Sequence, residues 1–208
     1  MPHVVFTIGH STHTLDHFTS LLSLHGITAL CDVRSTPYSQ INPQFNREEL
    51  KSSLQTCGVR YVFLGKELGA RSDDPSCYED RKVRYDRLAQ TIPFRKGLDR
   101  VQDGVKSYRV ALMCAEKEPL DCHRTILVSR HVLDLGLDVQ HILADGRLEK
   151  HAAALNRLVK ILNLQQGDMF QPLQDIYEAA YRLQEDRIAF KSDDAKPDGT
   201  VNLRSFAS

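Results

Sequence analysis

Short apolar runs alternate along the chain with stretches whose apolar residues recur at helical spacing, the pattern of a parallel sheet flanked by helices. Val4 to Ile8 reads as a first strand, ending in Gly9-His10-Ser11. Thr14 then stands where it caps a helix carrying Leu15, Phe18, Leu21 and Leu22 inward, and Gly26 stops that helix. A second strand, Ala29 to Val33, runs into Arg34. Asn46 and Glu49 have capping-box spacing before a helix that uses Leu50, Leu54 and Cys57, closed by Gly58. Tyr61 to Leu64 is a third strand. The charged stretch after it, to Arg84, has the length and Gly/Pro content of a lid or binding loop.

Phe94, Leu98, Val101 and Val105 make the next helical stripe. Val110 to Met113 is continuously apolar, as a strand covered on both faces must be. Asp121 is placed to cap a helix from Cys122 to Leu135 that ends at Gly136. Val139 to Leu143 is a fifth strand, followed by a helix bearing Leu148, Ala152, Leu155, Val159 and Leu162. The pattern predicts an α/β fold: an open, doubly wound, mostly parallel five-stranded sheet with helices on both faces, since a barrel requires eight such alternations. That domain takes residues 1–164. After Pro172 the stripe Leu173, Ile176, Ala180, Leu183 predicts a helical extension over 165–190, and the polar remainder, 191–208, reads as a mobile tail.

Composition narrows the function classes. Lysine plus arginine equals aspartate plus glutamate at 27 each, so no global positive field draws the chain to nucleic acid or an anionic membrane. No apolar run approaches the roughly 20 residues that span a bilayer. The cysteines are odd in number, five, and the start MPHVVFTIGHS lacks the basic and apolar regions of a leader. Both features point to reduced thiols and a cytoplasmic protein.

In an open α/β sheet, ligands bind outside the carboxyl ends of the strands. Four polar clusters fall there: Gly9-His10-Ser11, Asp32 with Arg34 to Ser39, Gly65 to Arg71, and Cys114 to Arg124. In the last of these, a helix start favours an anion or a thiolate. Cys114, Glu116, Cys122 and His123 are the candidate catalytic groups, as nucleophile, acid or base. Ser11, Asp32, Arg34, Ser39, Arg71 and Arg124 are the candidate ligand contacts, with Arg34 steadied by Asp32 two positions away. Each has a plainer reading: Cys114 as a small buried hydrophobe, Arg124 as an ion-pair partner of Asp121 or Glu118, Ser11 as a cap. The cysteine-phosphatase loop does not fit, because Leu120 stands where its arginine belongs. A metal site is conceivable from His10, Cys114, Cys122 and His123, but with no C-x-x-C pair a structural zinc is not expected. Walker and dinucleotide fingerprints are absent, which leaves the cofactor unassigned.

Taken together, T-I-G-H-S at 7–11, D-V-R-S-T-P-Y-S at 32–39 and F-N-R-E-E-L at 45–50 carry a family likeness. G-V-R-Y-V-F-L-G at 58–65, L-G at 68–69, L-M-C-A-E at 112–116 and C-H-R at 122–124 extend it. Over roughly residues 1–150 the chain resembles the domain-of-unknown-function 488 family. Ala70 departs from the pattern, which commonly has a second glycine there. The resemblance implies an α/β fold and supplies no reaction. From residue chemistry alone the expectation is an enzyme acting on a phosphate-bearing small molecule or nucleotide at the strand ends. The alternative is a nucleotide or nucleic-acid binding module without catalysis. On either reading Arg34 and Arg124 share one crevice with Ser11 and Cys114, and truncating Arg124 abolishes binding while leaving the fold nearly intact.

Overall fold

In the computed structural model, which describes residues 3–164 and 172–192, β1 (Val4–Gly9) leads through α1 (Leu15–Leu24) to β2 (Ala29–Asp32). From there α2 (Arg47–Thr56) leads to β3 (Arg60–Phe63). Next come α3 (Gly65–Leu68), the short strands β4 (Tyr78–Glu79) and β5 (Lys82–Val83), α4 (Tyr85–Gln90) and α5 (Ile92–Gly104). β6 (Val110–Cys114) is followed by a π-helical turn, Arg124–Ser129, that runs into α6 (Arg130–Asp134). β7 (Asp138–Ile142), β8 (Leu148–Lys150), α7 (His151–Ile161) and α8 (Leu173–Ile188) complete the order.

The main sheet has six strands in the order β3-β2-β6-β1-β7-β8. Five run parallel, and β8 pairs antiparallel with β7. Central β6 is buried along its whole length. It sends Ala111 and Met113 to one face and Val110, Leu112 and Cys114 to the other, as the two-residue period of a strand requires. On the first face α1 and α2 supply Phe18, Leu21, Leu22, Leu50 and Leu54. On the second, α5, α6, α7 and α8 supply Leu98, Val101, Val132, Leu155 and Ala180.

This division decides where a ligand fits. The connections leaving β1 and β2 go to the first face, whereas the one leaving β6, between them, goes to the second. The carboxyl end of β6 is therefore flanked by diverging connections on both sides, the place where an α/β sheet leaves a crevice.

Several local expectations need correction. The sheet gains a sixth strand because Leu148 lies on β8, in a hairpin turned through Gly146 (φ 83°), and α7 begins only at His151. Asp121 does not cap a helix. Glu118 instead accepts from Leu120 N (3.1 Å) to cap a 3₁₀ turn over Pro119–Asp121. Cys122 is then extended, so the long helix is delayed and opens as a π turn. Asn46 begins α2, but its side chain accepts from Ser39 N (2.7 Å) instead of capping.

The stretch expected to form a lid is anchored by buried Leu68, Cys77 and Val83, and its Ala70 and Arg71 line the cleft. Of the tail, Lys191 bridges Lys82 and Ser192 N donates to Arg81 O (2.8 Å). The remainder, 193–208, lies outside the described residues, as do 165–171 of the extension. No described helix is long and apolar enough to cross a membrane.

Candidate functional site

A cleft of about 310 Å³ opens beside the end of β6. β6 and the turn after it contribute Cys114, Ala115 and Glu116, and His123 stands beside them. The segment after β2 contributes Arg34, Ser35 and Thr36, and the segment after α3 contributes Ala70 and Arg71. Tyr85, Asp121, Ile188 and Phe190 close the remaining sides.

The reacting groups meet because the strand end and the following helix start converge. Cys114 Sγ lies 3.6 Å from His123 Nδ1, and Cys122 Sγ lies 3.9 Å from the same nitrogen. The other ring nitrogen, Nε2, donates to Val33 O (3.1 Å), which leaves Nδ1 facing the two sulfurs. The Cys122 thiol donates to Glu116 Oε2 at 2.8 Å. Burial pushes the Glu116 carboxyl up, and neighbouring Cys122 adds to the effect. Burial also drives Cys114 well above the ordinary thiol range, reinforced by Cys122. Cys122 goes the other way. Burial opposes its ionisation, but the hydrogen bond with Cys114, the charge of Arg124 and the contact with His123 outweigh that and hold it well below. For His123, burial lowers proton affinity while Cys122 and Glu116 raise it further, for a net increase.

Arg34 is pinned before any ligand arrives. Its Nε donates to Asp32 Oδ1 (2.9 Å) and its Nη2 to Asp32 Oδ2 (2.7 Å) and Phe45 O (2.8 Å). Nη1 donates to His10 Nε2 (3.2 Å), while His10 Nδ1 donates to Ser11 O (2.8 Å). Burial and the Arg34 charge keep His10 neutral, with its pKa lowered to about 4. Tyr61 also donates to Asp32 (2.8 Å). Arg34 therefore lines the cleft with most of its donors already committed, and Asp32 is its buried anchor.

Arg124 does not line the cleft. It is fully buried, and its Nη1 and Nη2 donate to Glu116 O (2.7 Å) and Lys117 O (3.3 Å). Its main-chain N donates to Cys122 Sγ (3.4 Å). The expectation of a direct ligand contact gives way to a loop-holding role, because the turn after β6 folds back over the guanidinium. Gly9 permits this approach: a Cβ there would meet Glu116 O at 1.9 Å.

Ser11 takes a left-handed φ of 49° and donates its N–H to Ala115 O (2.9 Å), outside the cleft lining. Ser39 Oγ accepts from Ile41 N and Asn42 N and stays in its own turn. Arg71 does reach the cleft. It stacks 4.0 Å above the Phe190 ring and makes no ion pair among the described residues.

Sequence reading misses Tyr85, whose hydroxyl makes no hydrogen bond among the described residues although the residue is buried. It also misses Ile188 and Phe190 from the end of α8. Tyr85 carries no motif to betray it. The lone aromatic Phe190, after a helical stripe and before a polar tail, was a usable signal.

The profile of a domain-of-unknown-function family, DUF488, matches residues 14–131. The chain belongs to the DUF488 family. The match runs from α1 to the first residues of α6 and so takes in Asp32, Arg34, Arg71, Cys114, Glu116, Cys122, His123 and Arg124, leaving T-I-G-H-S just ahead of it. No curated protein and no solved structure matches the chain. Membership in DUF488 brings no reaction with it, and the function has to be argued from the cleft.

Proposed function

We infer that this DUF488 protein is an enzyme acting on a phosphate-bearing small molecule or nucleotide bound in the cleft at the end of β6. One observation carries the reading. The same cleft joins Arg71, a guanidinium without a carboxylate partner among the described residues, to a floor of Cys114, Glu116 and His123. Arg71 supplies a planar fork that matches phosphate oxygens, and Phe190 beneath it limits its rotamers. Ser35, Thr36 and Tyr85 add hydroxyls that make no hydrogen bonds among the described residues. A phosphate held there sets the adjoining part of the ligand against Glu116, the carboxyl placed for proton transfer. Arg34 and Arg124 act one layer back, on the walls and on the turn.

A neighbouring groove supports an extended ligand. It shares Ser35, Thr36 and Arg71 with the cleft and continues past Lys66, Ser72 and Thr91.

The test is a panel of phosphate monoesters, sugar phosphates and nucleotides. It is scored for thermal stabilisation and for turnover by mass spectrometry, with wild type, Arg71→Ala and Glu116→Gln. A ligand should stabilise the wild type, and Arg71→Ala should weaken it roughly ten- to hundredfold, the worth of one charge-assisted hydrogen bond. Glu116→Gln should bind and not turn over. Binding without turnover by the wild type would leave a nucleotide-binding module in place of an enzyme. No binding by any phosphate compound would remove the ligand class.

A further inference from the structure

We propose that Cys114, Cys122 and His123 form a zinc site, with its fourth position opening into the cleft. Their ligand atoms all lie within 4.8 Å of one another, and all three residues are buried. With Zn–S near 2.3 Å and Zn–N near 2.0–2.1 Å, tetrahedral geometry puts sulfur about 3.6 Å from nitrogen and about 3.8 Å from the second sulfur. The two sulfur–nitrogen separations here are 3.6 and 3.9 Å. Both sulfurs thus stand near the distance from the imidazole nitrogen that an ion requires, and the sulfurs lie within 4.8 Å of each other.

The surroundings fit as well. A metal-binding histidine commonly gives its other N–H to a carbonyl, which fixes the tautomer, and His123 Nε2 does this to Val33 O (3.1 Å). Arg124 N donates to Cys122 Sγ (3.4 Å), a bond that favours thiolate. Two sulfurs and an imidazole select zinc over magnesium, calcium or manganese, which prefer oxygen. Three protein donors with one open position is the pattern of a reactive zinc site. Cys114 and His123 line the cleft together with Glu116, so the open position faces the ligand. Binding expels both thiol protons to solvent. Cys122 then no longer donates to Glu116, whose carboxylate is free to accept a hydrogen bond from a zinc-held water. The cysteines stand eight positions apart in sequence, outside any C-x-x-C spacing, and the fold brings them together.

The zinc site goes beyond the enzyme reading and stands without it. The test uses the full chain, reduced, stripped with a chelator and titrated with cobalt(II), then with zinc as competitor. One cobalt per chain should appear with thiolate-to-cobalt charge-transfer absorption and the intense visible bands of tetrahedral cobalt. Cys114→Ser and Cys122→Ser should each remove about half of the charge-transfer intensity, in proportion to the thiolates left.

Because either variant can unfold, the wild type is also alkylated with and without zinc. Zinc should protect Cys114 and Cys122, while exposed Cys57 reacts equally in both. Weak octahedral bands, equal alkylation with and without zinc, or a Cys114–Cys122 disulfide formed in place of metal uptake would each overturn the site. Turnover by metal-free protein would sink the zinc proposal as a functional centre and leave the enzyme reading. Tight zinc uptake with no phosphate ligand found would do the reverse.

Discussion

Arg124 Nη1 donates to the main-chain oxygen of Glu116 across 2.7 Å, so the turn that carries the carboxyl of the cleft is held from beneath by a buried cation. Nη2 extends the hold to Lys117 O. Arg124→Ala leaves both carbonyls short of their charged donor, a loss of about 2–4 kcal/mol. For a chain of this size each kcal/mol lowers the melting temperature by roughly 2–4 °C. Calorimetry should therefore find a clear drop, together with weakened ligand binding. An unchanged melting temperature would mean that the turn holds itself.

Gly9→Ala tests the same turn from the other side. The new methyl would sit 1.9 Å from Glu116 O, a backbone atom that cannot swing away like a side-chain end. Overpacking of this kind costs about 1–3 kcal/mol. Chemical denaturation should reveal that loss, and the displaced Glu116 should cost the protein whatever turnover the wild type has.

Asp32 and Arg34 form a buried pair, 0% and 6% exposed, with two matched hydrogen bonds. Removing one partner of such a pair is expensive because the survivor stays charged in a dry site. Asp32→Ala is expected to lose about 3–5 kcal/mol in urea unfolding. Arg71→Ala, at an exposed position without an ion pair, should stay within about 0.5 kcal/mol of wild type. Equal melting of the two variants would contradict this assignment of one arginine to scaffold and the other to ligand.

A buried relay that does not line the cleft predicts acid sensitivity. Thr7 Oγ1 meets His141 Nδ1 (2.8 Å), His141 Nε2 meets His151 Nδ1 (3.1 Å), and His151 Nε2 meets Tyr181 Oη (2.7 Å). Two neutral rings satisfy the chain in one direction, and protonating both would set His141 Nε2 against His151 Nδ1, donor against donor. Burial lowers both imidazoles, His151 to about 4 and His141 well below its usual value. The unfolded chain takes up these protons near pH 6.5 while the folded one refuses them, so this stability is present above that pH and lost as pH falls toward 4. His151 alone contributes about 3 kcal/mol to that loss. Urea titrations across the window should follow the decline, and the His151 ring resonances should not shift between about pH 7 and 5. A normal titration there would show that water reaches the relay.

Sequence periodicity by itself determined the five parallel strands, their helical crossovers and the edge at which polar groups gather. Each depends on local repeats of two or 3.6 residues, with glycine stops such as Gly26, Gly58 and Gly136, whose φ values are 60°, 71° and 75°. The polar clusters at the predicted strand ends likewise put forward Asp32, Arg34, Cys114 and His123 as candidates. What chain order could not supply was the direction of each side chain once segments far apart had packed. Arg124 went under the turn and Arg71 over the cleft because Gly9 let the backbone after β6 close on one guanidinium, while Phe190 offered a face to the other. The same holds for Cys114 and Cys122, eight positions apart and part of no spacing motif, which face a single imidazole nitrogen because a strand end and a helix start meet at one crevice. Periodicity is a property of neighbours in the chain, whereas a site is made of neighbours in space, and here only tertiary packing decided which residues those were.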